Sequence, residues 1–410
     1  MNTFNIVILW KQNDLRLYNR RVDSMVSALD RNSRVRKIVC VSAPVSYDDM
    51  AELQERMSDP TSDSKLRYAN IHQDYFGLRE HGKCTYLNYI YSDYTASIFS
   101  GPLRRRSEYQ YWLKEKLAEL DVLENCILLV YPVVKDIEEV LQLNKWEYVI
   151  QDVVDDELKN KHDKKELRAL YEKYLICNEH ADLSIFSSTT RFKSYSRLLG
   201  DNKTFRIFPN DYDFSGSSFV TTEETGKKYY KNMMDVKRVI GYVGDFGNRI
   251  DYDLLQFITT EIEKKKDWKL MLVGPNIDKK YLKKIERSNN IHYVGPIRHQ
   301  ELRNLIPRFD VGIIPHLINE TTDAMSPLKV FQYLQHNVPV VTTGVNNIPE
   351  GKGIYVSGTR EEFISNLHSA SFLMADNKYT YVNKWDEYIG NMLKLADASA
   401  DVSKKICLSA

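Results

Sequence analysis

The chain is short of everything that staples, spans or recruits by bulk charge. Its five cysteines, at 40, 84, 126, 177 and 407, are odd in number, widely spaced and without a CxxC pair. That spacing encodes neither a disulfide framework nor a zinc site and fits a reducing compartment. Seventeen Gly and twelve Pro in 410 residues exclude fibrous and low-complexity classes, because such chains need far more of both. Fifty-seven basic against 56 acidic residues leave a net charge of +1, too little for an overall field that would hold nucleic acid by counterion release. No run approaches the roughly 18 apolar residues of a membrane span, and the start through Trp10 has no basic region ahead of its short apolar run. A cytoplasmic protein is expected, with contact at the inner face of the cell membrane left open. No HExxH, GxSxG, Walker A or kinase motif occurs, which removes the usual metalloprotease, hydrolase and NTPase readings.

What is present is 43% hydrophobic residues in a repeating order. Short β-branched runs at 5–10, 35–41, 85–91, 126–131, 148–150, 183–187 and 204–209 read as buried strands, and helical spacing such as Leu113, Leu117, Leu120 lies between them. Alternating strands and helices predict an α/β fold with a parallel sheet covered on both faces. Polar residues displace aliphatics over 214–236, the expected linker between an N-terminal domain, 1–213, and a C-terminal domain, 237–379. A second strand series follows at 239–243, 268–273, 291–294, 311–314, 338–342 and 353–356. The helical pattern within 380–398 has no strand after it.

Several loops after strands could carry chemistry. The segment 311–334 reads as strand, polar loop and helix, with Ser326 as N-cap, Pro327 as first helical residue and Lys329 in the first turn. A cation where the helix dipole prefers an acid makes sense if an anion binds there; the alternative is a capped helix with a solvated lysine. The loop 244–251 offers Gly244, Gly247 and Arg249 for a phosphate, though not the full GxGxxG spacing, and an ordinary turn is equally open. Gly274 and Gly295, each followed by Pro, turn the chain at a sheet edge where doubly wound folds place ligands. In the first half, Asp152, Asp155 and Asp156 follow a strand and could position a hydroxyl or act as a base, or cap the helix that starts near Asp163. Trp10, Asp14, Arg20 and Arg21 lie on the first strand-to-helix loop. Arg104, Arg105 and Arg106 ahead of Tyr109, Tyr111 and Trp112 could seat a helix on anionic lipid or merely begin a solvated one.

In this order the segments resemble GT-B glycosyltransferases, similar to glycosyltransferase family 4 and the bacterial enzymes that build capsule, teichuronic acid or lipopolysaccharide glycans. The carriers are 148–156, Gly241 to Gly244 with Arg249 to Asp251, 268–275, 291–296, and above all Asn319-Glu320 with Ser326 to Leu334 and Val338 to Val341. The resemblance implies two Rossmann-like doubly wound domains facing across a cleft, with the last helix returning to the first. It implies a metal-independent hexosyltransferase without cofactor, moving sugar from a nucleotide diphosphate sugar, UDP-linked by preference, to a surface glycan or lipid-linked precursor with retention. Arg249 and Lys329 would hold the diphosphate, Ser326 and Leu328 would offer backbone N–H groups, and Arg298 with His299 would lie near the base. The family has two glutamates here; this chain has Ala324 and Gln332, so Glu320 or Asp323 would contact the sugar and Gln332 the ribose. Trp10, Asp14, Arg20, Arg21 and Asp152 would meet the acceptor. An inverting enzyme would need a base, from Asp155, Asp156 or Asp14. Alternatives are a non-catalytic relative that binds glycan or partner subunits and a sugar-nucleotide epimerase.

Overall fold

The computed structural model describes residues 2–77, 80–98, 101–154, 157–158, 163–198, 204–210, 236–319, 322, 327–344, 353–370 and 384–408. The expected linker falls almost wholly outside them. The chain divides into two compact units, one of residues 1–55, 67–216 and 383–410, the other of residues 56–66 and 217–382. Residues 56–66 group with the second unit although they lie within the first half of the chain.

The first unit is built on strands β1 (Phe4–Leu9), β2 (Val35–Val41), β3 (Val45–Ser46), β4 (Glu80–His81), β5 (Cys84–Leu87), β6 (Ile90–Tyr91), β7 (Ser97–Ile98), β8 (Gly101–Pro102), β9 (Cys126–Val130), β10 (Tyr148–Val153), β11 (Leu183–Phe186) and β12 (Thr204–Ile207). Eight of them form one sheet in the order β12-β11-β10-β9-β1-β2-β5-β4, parallel except where β4 joins β5. All residues of β1, β9 and β10 are buried, the signature of strands covered on both faces. The single run expected over 85–91 is instead two strands, because β6 leaves the main sheet to pair with β3. The chain order reverses between β1 and β9, and β1 pairs in parallel with both neighbours, Leu9 opposite Val41 and Val130.

The helix Trp385–Leu408 belongs to this unit. Trp385, Tyr388, Ile389, Met392, Leu393 and Ala396 recur at helical spacing and are buried in the first core. Tyr388 stacks on Phe208 at 4.6 Å, and Arg34 pairs with Asp397 at 2.6 Å.

The second unit has β13 (Arg238–Val243), β14 (Trp268–Val273), β15 (Ile291–Gly295), β16 (Val311–Ile314), β17 (Val340–Thr343) and β18 (Ile354–Ser357). They form one parallel sheet in the order β15-β14-β13-β16-β17-β18, reversing between β13 and β16. One face packs on the helix Tyr252–Glu263, the other on the helix Leu328–Gln335 through Val243, Ile314, Val330 and Tyr333. In such sheets ligands sit beyond the carboxyl ends of the strands at the reversal point. Each unit therefore has one position where a site is expected, at β1/β9 and at β13/β16.

Candidate functional site

The β13/β16 edge of the second unit is shaped by close backbone approach. Gly312 lies directly under the Tyr333 ring, where an added Cβ would fall 2.6 Å from ring carbons. The Tyr333 hydroxyl receives the Val243 N–H at 2.8 Å, fixing the helix against the end of β13. One helical turn earlier, Lys329 crosses Gly244, whose φ of +148° only glycine adopts readily and whose missing Cβ is the space that Lys329 Cε and Nζ fill. Gly274 is fitted to the same backbone, since a Cβ there would run into the Gly244 carbonyl oxygen. The Lys329 ammonium stands 5.2 Å from the centre of the Tyr242 ring.

The loop after β13 is braced from within. Asp245 accepts from the Gly247 N–H at 2.6 Å and the Asn276 amide at 2.8 Å, and Tyr242 donates its hydroxyl to the Asp245 carbonyl at 2.8 Å. Asp251 caps the next helix through the Leu254 N–H at 2.9 Å. The backbone N–H of Asp251 donates to Pro315 O at 3.0 Å and that of Leu317 to Arg249 O at 2.9 Å, so Ile250 pairs with His316 and Arg249 is one residue away. Arg249 is exposed at the rim, while His316 is 3% exposed. Burial first, then the charges of Lys329 and Arg249, push the His316 imidazole well below its ordinary pKa, so it is neutral at pH 7. Two cations and a neutral imidazole at a strand reversal, beside a helix N-terminus, suit an anion.

The sequence misplaced one detail here. The helix begins at Leu328 with Pro327 at the cap position and no side-chain cap, rather than at Pro327 behind a Ser326 cap. Proline's fixed φ allows either position, and here its ψ of 108° keeps it extended. Asn337 takes the left-handed conformation at the far end, with φ of 58°. Ser326, Glu320, Asp323 and Ala324 lie outside the described residues. Gln332 is buried in the second turn of the helix.

Arg298 is at the cap of the helix His299–Leu305, its N–H taken by Glu301 at 3.0 Å. His299 is buried and held neutral, its pKa pushed down to about 3 by burial, Arg303 and His336. Its neighbour His336 is at the end of the helix opposite Lys329, roughly 10 Å along it at 1.5 Å per residue. Arg298 and His299 were expected together at the base; they are adjacent at the start of this helix, with His299 buried.

In the first unit, the residues expected to meet the acceptor pair with one another in two groups. Trp10 donates its indole N–H to Asp14 at 2.7 Å, and Arg20 pairs with the same carboxylate at 2.9 Å. Arg21 and Asp152, both at most 2% exposed, form an ion pair at 3.0 Å, and Arg21 also donates to Phe208 O at 2.6 Å and faces the Trp385 ring. Asp152 is pushed up by burial and held down by Arg21. Of Trp10, Asp14, Arg20, Arg21 and Asp152, only Arg20 reaches solvent substantially. Trp10, Asp14, Arg21 and Asp152, expected to meet the acceptor, are buried inside the unit, with Arg21 Nη2 left without a hydrogen-bond partner among the described residues. Asp155 and Asp156 lie outside the described residues, and Asp163 caps the next helix through the N–H groups of Lys165 and Glu166.

Within the basic patch at 104–106, Arg106 and Arg104 are paired with acids. Arg106 pairs with Asp136 at 2.5 Å between the Tyr91 and Tyr109 rings, and Arg104 with Glu115 at 3.0 Å, leaving Tyr111 exposed. No described helix is long and apolar enough to cross a membrane. The residue that sequence reasoning missed is His316, whose signal is position, two residues past a strand at the reversal point.

Residues 237–370, the part of the chain that carries this geometry, match the family model described as Glycosyl transferases group 1. A protein of Bacillus subtilis named as a teichuronic acid biosynthesis glycosyltransferase, TuaH, is 26% identical over 153 residues, 37% of this chain and 36% of its own length. The aligned part thus spans about a third of that relative. Among solved structures, sucrose-phosphate synthase of Thermosynechococcus elongatus superposes with a TM-score of 0.58 at 12% identity, covering 99% of this chain and 100% of that one. Anabaena HepE, solved in complex with UDP, gives 0.51 at 10% identity over 99% and 100%. The chain has the GT-B fold, two doubly wound α/β domains, and residues 237–370 of its second unit carry the match to the group 1 model.

Proposed function

We propose that the chain is a glycosyltransferase that moves a hexosyl group from a nucleoside diphosphate sugar, UDP-linked by preference, to a surface glycan or its lipid-linked precursor. The observation that carries this is the backbone of Gly244 moulded around Lys329 beside Arg249, within the segment that matches group 1 glycosyltransferases. The acceptor oxygen attacks the anomeric carbon, the bond to the diphosphate breaks, and the acceptor proton passes to a leaving phosphate oxygen. The protein contributes orientation and positive charge where negative charge develops, without need of a metal. Retention at the anomeric carbon follows from likeness to the family, and the resemblance of the matched segment to TuaH favours a bacterial surface polymer. Gln332 in place of a glutamate would hold the ribose through a neutral amide.

The test is a binding and turnover panel. UDP, GDP, ADP and CMP are titrated against the purified chain, and the stabilising nucleotide's sugar conjugates are then offered with glycan acceptors. Stabilisation by one nucleotide, followed by sugar transfer that disappears in Lys329→Ala, supports the reading. A chain that no nucleotide stabilises is a glycan-binding relative, and consumption of donor without acceptor is epimerisation; either outcome overturns it.

A further inference from the structure

We propose that His316 is a third, uncharged ligand for the donor's diphosphate, completing the cradle that Arg249 and Lys329 begin. The inference rests on the nucleotide-sugar reading of this site. His316 lies beyond the carboxyl end of β16, at the sheet's reversal point, and its backbone is fixed on two sides. Ile250 pairs with it on one, and the Thr343 hydroxyl donates to its carbonyl at 2.8 Å on the other. The side chain is 97% buried, yet its Nε2 has no hydrogen-bond partner among the described residues. A buried polar atom left unsatisfied costs about 1–3 kcal/mol, and it persists where a ligand supplies the missing bond.

Its position follows from the strand. Gly312 of β16 lies under Tyr333, and the helix Leu328–Gln335 runs antiparallel to the strand, so moving from Gly312 toward His316 leads to the end of the helix that carries Lys329. His316 therefore lies at the same end as the helix N-terminus, where the charges of Lys329 and Arg249 both act on its ring. Its neutrality fits the role. Between two cations a charged imidazole would repel both, whereas a neutral ring that presents N–H at Nε2 adds a hydrogen bond without adding charge.

The experiment titrates the full chain with UDP and with inorganic pyrophosphate, for wild type, His316→Ala and His316→Asn, with thermal melts and with uridine followed by ligand-observed NMR. His316→Ala should weaken UDP and pyrophosphate about tenfold, as expected for losing one hydrogen bond to a charged oxygen, and leave uridine unchanged. His316→Asn, which keeps an N–H donor, should recover part of the loss. UDP binding equal to wild type in His316→Ala overturns the inference and leaves the proposed function standing. So does an equal loss for all three ligands with a lowered melting temperature in both variants, which marks packing. Wild type that binds pyrophosphate with this dependence but no nucleotide sinks the glycosyltransferase reading alone; wild type that binds neither sinks both.

Discussion

The two strand reversals of this chain have the same topology and opposite electrostatics. At β1/β9 the charged residues close on one another: Arg20 on Asp14, which also accepts the Trp10 indole N–H, Arg21 on Asp152, Arg16 on Asp74 at 2.7 Å. At β13/β16 Lys329 and Arg249 flank a neutral His316, and both charges act on it in the same sense. A doubly wound sheet makes a crevice at its reversal in either case. Side chains decide whether the crevice is filled by the protein's own ion pairs, and so becomes structure, or keeps cations around a neutral ring, and so suits an anionic ligand.

The largest effect expected from this contrast is on stability, in the first unit. Arg21→Ala leaves Asp152 buried without its partner, which costs about 3–5 kcal/mol, and urea denaturation should show it. Replacing both, Arg21→Met with Asp152→Leu, should recover much of that loss; a double variant no better than the single would mean the pair does more than neutralise itself. Next is Lys329→Ala. Losing a charge aimed at the leaving diphosphate should reduce turnover by about 10²–10³ while the melting temperature stays within a few degrees, since the half-buried lysine is not in the core. A large stability loss there would erase the distinction between the two reversals. Smaller still is Gly244→Ala. Its Cβ would meet Lys329 and its φ would be strained, so nucleotide affinity should fall together with about 1–2 kcal/mol of stability, read by calorimetry of free and bound protein.

Much of this fold could be read from the sequence because buried parallel strands are short, continuous apolar runs. The segments at 126–130 and 311–314 announced themselves, and Trp268–Val273 was placed to the residue. Lys329 and Arg249 could be singled out because charge next to a strand-loop-helix junction is a local signal. What could not be read was pairing at a distance. Asp152 and Arg21 are 131 residues apart, and nothing local reveals that each neutralises the other. His316 carries no motif; its meaning comes from a register that exists only once β13 and β16 lie side by side. The division of 85–91 into β5 and β6 was hidden for the same reason, since β6 answers to β3 rather than to its neighbour in sequence.

The finest test of the contrast is pH, because the two units carry buried titratable groups of opposite sense. In the first unit burial raises Asp23 to about 7, against two backbone N–H bonds from Arg16 and Arg20. Its folded pKa exceeds its unfolded one, so the native state holds the proton longer, and stability falls as pH rises from about 4 to about 7. In the second unit His299 and His336 are lowered to about 3 and about 4 by burial first, then by Arg303. There the unfolded chain binds the extra protons, so stability falls as pH drops below about 6.5, by on the order of 2 kcal/mol per histidine at pH 5. Hydrogen exchange between pH 5 and 7, corrected for intrinsic rates, should therefore show β1 and the helix Arg21–Arg31 gaining protection at the acid end. Peptides of β15 and the helix His299–Leu305 should lose it. Asp23→Asn should flatten the first trend only, and His299→Gln should weaken the second only. If both units moved the same way, global unfolding would dominate and the two reversals would not be energetically separate.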